Sequence, residues 1–179
     1  MANNIFVETS RLVITHLEAK DFVTLSDQQK DPDFMRFVGG PRSDKDIIAI
    51  FDLLFKHLTD YGFSQGPVFL KGTGECIGRA GLIYLELNKK FDPEIGCFLL
   101  PQYWGKGFAV ELGEALIQYA FDHLGSKRVY ATIDPENIAS LHTVKKLGMI
   151  FERDGTYERL GKIKEVKYFV KYQNRVIKE

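Results

Sequence analysis

The sequence predicts an α+β fold, with one mixed, mostly antiparallel central sheet flanked by helices. Three observations predict it. The chain has 179 residues, the size of one ordinary domain. Its apolar and β-branched runs come first as a meander and then alternate with helix-period segments as strand–helix–strand–helix–strand. No repeat, low-complexity stretch or Pro/Ser linker interrupts it, so residues 1–179 are read as a single domain.

The elements follow in order. Arg11 to Thr15 is a first strand, with β-branched residues between polar flanks. A helix starts near Ala19-Lys20-Asp21, and Phe34 to Pro41 reads as a loop closed by Gly39-Gly40-Pro41. Ser43 stands three residues before Asp46, a helix-start signal, and Ile47, Ile50, Phe51, Leu54 and Leu58 follow at helical spacing up to Tyr61-Gly62. Pro67 to Lys71 is a strand, Thr73-Gly74 a turn, and Cys76 to Leu85 a long strand whose Gly78 and Gly81 mark bulges or close backbone approach. Asn88 to Pro93 reads as a polar loop. Glu94 to Leu100 is nearly continuous in apolar character, so it is placed centrally, and Pro101 closes it. Ala109, Leu112, Leu116, Ala120 and Leu124 form an amphipathic helix that stops at Gly125. Arg128 to Ile133 is a strand, and Asn137 to Leu147 a short helix with Leu141, Val144 and Leu147 inward. Met149 to Arg153 and Lys164 to Tyr172 are strands, the second with Val166, Tyr168, Val170 and Tyr172 on one face.

Composition narrows the function. Lys plus Arg and Asp plus Glu are 24 each, so the basic surplus of a duplex-binding protein is missing, and nucleic acid is not expected as a partner. The basic tail from Lys162 to Glu179 reads as a solvated strand face rather than an RNA contact. Cys76 and Cys97 lack metal-ligand spacing, and no metal is expected. Both cysteines sit in strand-like runs, as buried thiols of a reducing compartment do. With neither a signal-like start nor a run of about 18 apolar residues, the expectation is a cytoplasmic chain with no membrane partner. His16, His57 and His123 show no convincing partners, and His142 reads as exposed.

The chemistry is concentrated in Leu100-Pro101-Gln102-Tyr103-Trp104-Gly105-Lys106-Gly107-Phe108-Ala109. A buried strand stops, a turn with two glycines follows, and a helix begins. The first amides of a helix lack internal partners and carry partial positive charge, so an anion such as a diphosphate fits there. A P-loop is excluded because Gly107 is followed by Phe108-Ala109, and a dinucleotide fingerprint because Val110 holds the third glycine position. A tight structural turn is the plain alternative. Tyr103 and Trp104 are expected to pack under this loop.

Gln102-x-x-Gly105-x-Gly107 resembles the acetyl-CoA loop of GNAT acetyltransferases, and the text from Glu94 to Ala109 resembles the ribosomal-protein N-terminal acetyltransferase branch. Thr9 to Ile14, Thr73 to Gly78, Asn137 to Ser140 and Lys146 to Met149 resemble other segments of that branch in the same order. The resemblance implies a GNAT-type domain whose sheet splays at the acetyl-CoA site, with acetyl-CoA as co-substrate. Amides of Gln102, Gly105, Lys106, Gly107, Phe108 and Ala109 would hold the CoA diphosphate. The backbone of Phe98, Leu99 and Leu100 would pair with the pantetheine arm, and Asn137 would contact it. The phenol that many relatives place seven residues after this Asn is replaced by Val144. Ser140 is therefore the candidate acid beside the thiolate. Glu94 is the candidate base, since it begins the strand along the cofactor. The plain readings are a helix cap for Asn137, a first-turn serine for Ser140 and a solvated strand-end carboxylate for Glu94.

The expected activity is direct acetyl transfer to a primary amine, either a protein N-terminus or a small molecule, without an acyl-enzyme on Cys97. By analogy with the family, Phe34 to Arg42 and Tyr84 to Asp92 would line the acceptor side, and a homodimer is compatible with it. Two rival readings are a CoA-binding sensor or scaffold without turnover, and an RNA-associated module.

Overall fold

The computed structural model describes residues 4–87 and 90–173. In chain order the elements are β1 (Ile5–Glu8), β2 (Leu12–Thr15), a 3-10 turn (Ala19–Asp21), α1 (Phe22–Gln28), α2 (Pro32–Met35), α3 (Asp44–Tyr61), β3 (Gln65–Leu70), β4 (Cys76–Leu87), β5 (Lys90–Leu99), α4 (Phe108–Asp122), β6 (Arg128–Ile133), α5 (Ile138–Lys146), β7 (Ile150–Arg159) and β8 (Lys162–Tyr172). The eight strands form one sheet in the order β1-β2-β3-β4-β5-β6-β8-β7. Adjacent strands are antiparallel except β5 and β6, which run parallel and share a single register pair, Glu94 with Tyr130. This is the mixed, mostly antiparallel α+β architecture the pattern predicts. The two strands separate beyond Glu94, and the slot between them lies in the middle of the sheet.

Each face of the sheet has its own core. The stripe of α4, through Leu112, Leu116 and Ala120, packs on Leu12, Ile14, Val68, Ile77 and Leu82. On the opposite face, Ile47, Ile50, Phe51 and Leu54 of α3 meet Leu17, Leu25 and Ile83. Alternation along β4 sends Leu82 to one core and Ile83 to the other. Helix α3 begins where its sequence signal lies: the Ser43 hydroxyl accepts the Asp46 N–H at 3.2 Å.

Several elements depart from expectation. Asn88 to Pro93 is not wholly a loop, because the β4–β5 ladder continues through Tyr84–Pro93 to Leu87–Lys90, while Asn88 and Lys89 lie outside the described residues. Polar residues pair there because a two-stranded ribbon needs only its backbone to be matched. For the same reason β7 runs on to Arg159, with Thr156 opposite Glu165. The segment Phe34 to Pro41 is entered by the short helix α2, whose first amides are capped by Asp31 accepting from Phe34 N–H at 2.7 Å. Strand β1 was not expected; it pairs with β2 at the sheet edge. Tyr172 is exposed, whereas Val166, Tyr168 and Val170 are buried, because β8 outruns its cover at that end.

His57, expected without partners, is buried and fully engaged. Its Nδ1 lies 2.7 Å from the Phe63 carbonyl, and its Nε2 accepts the Tyr84 N–H at 2.8 Å. The ring substitutes for a strand partner where β3 stops short of Tyr84. Two bonds of this kind require the neutral ring with its proton on Nδ1. Burial lowers the His57 pKa below its usual 6.5, against smaller upward pulls from Phe63 and Asp60. The unfolded chain therefore takes up this proton at a higher pH than the folded one. Stability is fully present above about 6.5 and falls as acidification proceeds below it. Denaturant midpoints of the native chain should drop from pH 7.5 to pH 5.5 more steeply than those of His57→Gln. Equal slopes would remove His57 as the cause.

Candidate functional site

The loop after β5 is built for close approach. Pro101–Tyr103 is a 3-10 turn, and Gly105 and Gly107 adopt φ of +74° and +79°, a left-handed backbone that other residues enter at a cost. Gly107 is the N-cap of α4, so the free amides of the first helical turn face outward past a residue with no side chain. The loop is held from behind. One carboxylate oxygen of Glu111, in the first turn of α4, accepts from Thr9 Oγ1 at 2.6 Å, Ser10 Oγ at 3.0 Å and Arg11 N–H at 2.9 Å. Its other oxygen meets Arg11 Nε at 2.6 Å. Arg11 also donates from Nη1 to the Lys106 carbonyl at 3.1 Å, and its guanidinium lies over the Phe108 ring. Burial alone would raise the Glu111 carboxyl, but the bonds from Thr9, Arg11 and Ser10 together outweigh it and hold it at about 2. The β1–β2 turn and the loop are thus one charged, hydrogen-bonded unit.

A cavity of about 530 Å³ opens from this loop into the slot beside β5 and through to the opposite face of the sheet. Of the residues singled out in the sequence, Glu94, Phe98, Leu99, Gly105, Gly107, Phe108, Ala109, Asn137 and Ser140 line it. Leu100, Gln102 and Lys106 are not among its lining. The Leu100 N–H is bonded to the Ile77 carbonyl at 3.0 Å, and the Lys106 ammonium lies over the Tyr103 ring. Tyr103 packs inward as expected. Trp104 does not: it is 46% exposed, lines the cavity, and donates its indole N–H to the Leu99 carbonyl at 2.6 Å. Asn137 caps α5 by accepting the Ser140 N–H at 3.0 Å, which fixes Ser140 at the cavity wall. Val144 is buried and also lines the cavity.

Glu94 is not a solvated strand end. Because β5 begins at Lys90, Glu94 sits mid-strand, 6% exposed, at the point where β5 and β6 part. Thr132 donates its hydroxyl to it. Thr132 is invisible to a motif reading, since a threonine in a strand is ordinary. Cys97 also borders the cavity, but burial pushes its thiol up to about 12, so it holds its proton at neutral pH. Cys97→Ala should retain acetyl transfer within a few-fold in a thiol-release assay; loss of activity together with an acetylated thiol in the native chain would assign it a covalent role.

Two further groups eluded sequence reasoning. Gln65, at the start of β3, and Tyr157, in β7, both reach the cavity from strands distant in sequence. Phe34, Phe37, Val38 and Arg42 form the wall opposite the loop, whereas no described residue from Tyr84 to Asp92 does so. Lys164 fastens that wall: it donates to the Phe37 carbonyl at 3.3 Å and to Asp134 at 2.5 Å.

A loop that can hold a diphosphate, an open strand edge and a buried carboxylate at the split of a mixed sheet describe one arrangement. The acetyltransferase (GNAT) domain profile matches residues 11–150. The chain belongs to the GNAT acetyltransferase family. It is 29% identical over 154 residues to the N-acetyltransferase YnaD of Bacillus subtilis, which is described as uncharacterized, covering 86% of each chain. Among solved structures, an acetyltransferase of Agrobacterium tumefaciens superposes with a TM-score of 0.80 at 24% identity, covering 93% of this chain and 94% of that one. The spermidine N-acetyltransferase of Vibrio cholerae, solved with CoA and spermine, does so with a TM-score of 0.74 at 23% identity, covering 92% and 96%. The chain is therefore an acetyl-CoA-dependent GNAT N-acetyltransferase, and the glycine loop and the slot beside β5 leave room for CoA, although the Leu99 carbonyl and the Leu100 N–H, expected to pair with the pantetheine arm, are already engaged by Trp104 and Ile77. No metal-ligating cluster occurs among the described residues, nor is any helix there long and apolar enough to cross a membrane.

Proposed function

We propose that this GNAT domain transfers acetyl directly from acetyl-CoA to a primary amine with an apolar body, in a ternary complex. The observation that carries the reading is one continuous cavity joining the Gly105–Ala109 loop to buried Glu94 and on to the wall of Phe34, Phe37 and Val38. The loop amides, with Gly105 and Gly107 leaving room, hold the diphosphate. Asn137 orders the start of α5 so that Ser140 stands beside the thiolate as it leaves. Bound acetyl-CoA supplies a thioester whose carbonyl carbon gains the C–N bond as the C–S bond breaks. An amine is mostly protonated at neutral pH, with a pKa of about 10.4 for a lysine-like group and about 8 for an α-amine. Glu94, directly or through water, takes the proton that the attacking nitrogen must lose, and the departing sulfur leaves as thiolate or takes a proton from the Ser140 side.

The acceptor wall carries Arg42, Lys162 and Lys164 beside Asp46 and Asp134, and Asp134 is already paired with Lys164. This balance favours an apolar monoamine or a protein N-terminus over a polycation such as spermidine. A cytoplasmic location suits the two unpaired thiols. The test is a panel of 2-phenylethylamine, spermidine and short peptides with free N-termini, following CoA release with a thiol reagent. Turnover of the aryl amine or a peptide above spermidine supports the reading, and spermidine as the best substrate reverses the acceptor assignment. Tight CoA binding with no turnover of any amine would favour the sensor reading.

A further inference from the structure

Gln65 is 2% exposed, yet its Oε1 has no hydrogen-bond partner among the described residues. Its Nε2 likewise donates to no described residue, and an enclosed amide left unpaired destabilises a fold, so the group calls for partners that the chain itself does not supply, a donor for Oε1 and an acceptor for Nε2. Two glycines bring it into position. Gln65 is registered opposite Gly81 of β4, and Gly81 opposite Gly96 of β5, so the three share one face of the sheet in a row. With no side chain in the way, the Gln65 amide reaches β5 and takes the space a Gly96 side chain would fill. A Cβ on Gly96 would lie 1.9 Å from its Nε2 and 2.7 Å from its Cδ. Alternation puts Glu94, Gly96 and Phe98 on this same face. The amide therefore lies between the buried carboxylate and the Phe98 ring, and all four residues line the cavity.

We propose that Gln65 is a catalytic residue of acetyl transfer, donating a hydrogen bond from Nε2 to the acetyl carbonyl oxygen. The proposal rests on the acetyl-transfer reading given above. When the amine nitrogen bonds to the carbonyl carbon, the C=O electron pair moves onto oxygen. The Gln65 N–H meets that charge until the pair returns and the C–S bond breaks. The amide neither gains nor loses a proton, so its donor serves at every pH at which Glu94 acts. Fixed donors of this kind act on charge as it develops, and they are strongest where water is excluded. A group kept only for packing would be better replaced by an apolar chain of equal length.

The experiment compares acetyl-CoA with S-ethyl-CoA, a thioether lacking the carbonyl oxygen, by calorimetric titration into the native chain and Gln65→Met. Methionine keeps the length and removes the donor. The expected result is that the preference for acetyl-CoA over S-ethyl-CoA falls at least fivefold in Gln65→Met. Affinity for S-ethyl-CoA should stay within twofold, and the Tm should be no lower than that of the native chain. An unchanged preference overturns the proposal. So does a parallel loss of affinity for both ligands with a lowered Tm, or a Gln65→Met chain that does not fold, since each assigns the amide to structure. A native chain that binds neither ligand would instead remove the acetyl-transfer reading itself.

Discussion

Gly107→Glu should weaken CoA binding by at least about 100-fold, equivalent to about 2.7 kcal/mol. Two effects add. The backbone at Gly107 has φ of +79°, and a side chain there costs about 1 kcal/mol or more in strain. The new carboxylate would also start 3.6 Å from Arg11 Nη2, measured at the Cβ, and would be drawn into the mouth of the anion site. Negative charge would then stand where the diphosphate must come, and the first amides of α4 would be taken by the protein's own oxygen atoms. Gly107→Ala separates the two contributions, because it adds the strain without the charge; its loss should be about tenfold. Calorimetric titration with CoA reads both. Native affinity in Gly107→Glu would mean that the diphosphate sits elsewhere.

Glu94→Gln should lower kcat by about 100-fold to 10,000-fold at pH 7, the range typical of a lost general base, while CoA affinity stays within twofold. Glutamine keeps the volume and can still accept from Thr132, so the slot between β5 and β6 should hold its shape. The deficit should shrink as the pH is raised toward the pKa of the acceptor amine, because a nitrogen that arrives unprotonated needs less help. A loss that is constant across pH, or one matched by lost CoA affinity, would make Glu94 a structural residue. The contrast with Cys97 is instructive. The thiol beside the slot is held protonated by burial, whereas the proposed base, three residues earlier, is a carboxyl group.

Much of the molecule was legible in the sequence because local rules decided it. The α3 start at Ser43, the α4 stripe and the left-handed glycines at 105 and 107 each follow from nearest-neighbour physics. The backbone turn of the glycine loop and the helix start after it could be reasoned from glycine spacing alone. What stayed hidden depends on partners far along the chain. Strand β1 and the extension of β5 through Lys90 exist because another strand lies alongside them. Gln65 reads as an unremarkable polar residue until two glycines, 16 and 31 positions away, are seen to clear its path. His57 looks idle until Phe63 and Tyr84 are placed on either side of its ring. Glu111 is one more acid in a helix until Thr9 and Arg11, about a hundred positions earlier, close on it.

That last contact bears on how the cosubstrate is captured. Because Glu111 and Arg11 tie the Lys106 carbonyl to the β1–β2 turn, the glycine loop is braced by bonds internal to the fold, and on the proposed reading the diphosphate would meet a preset receptor. Little disorder has to be surrendered at the moment of docking. Association should then be governed by diffusion and salt concentration rather than by a slow rearrangement, and stopped-flow traces with CoA should be single exponentials whose rate climbs linearly with ligand concentration.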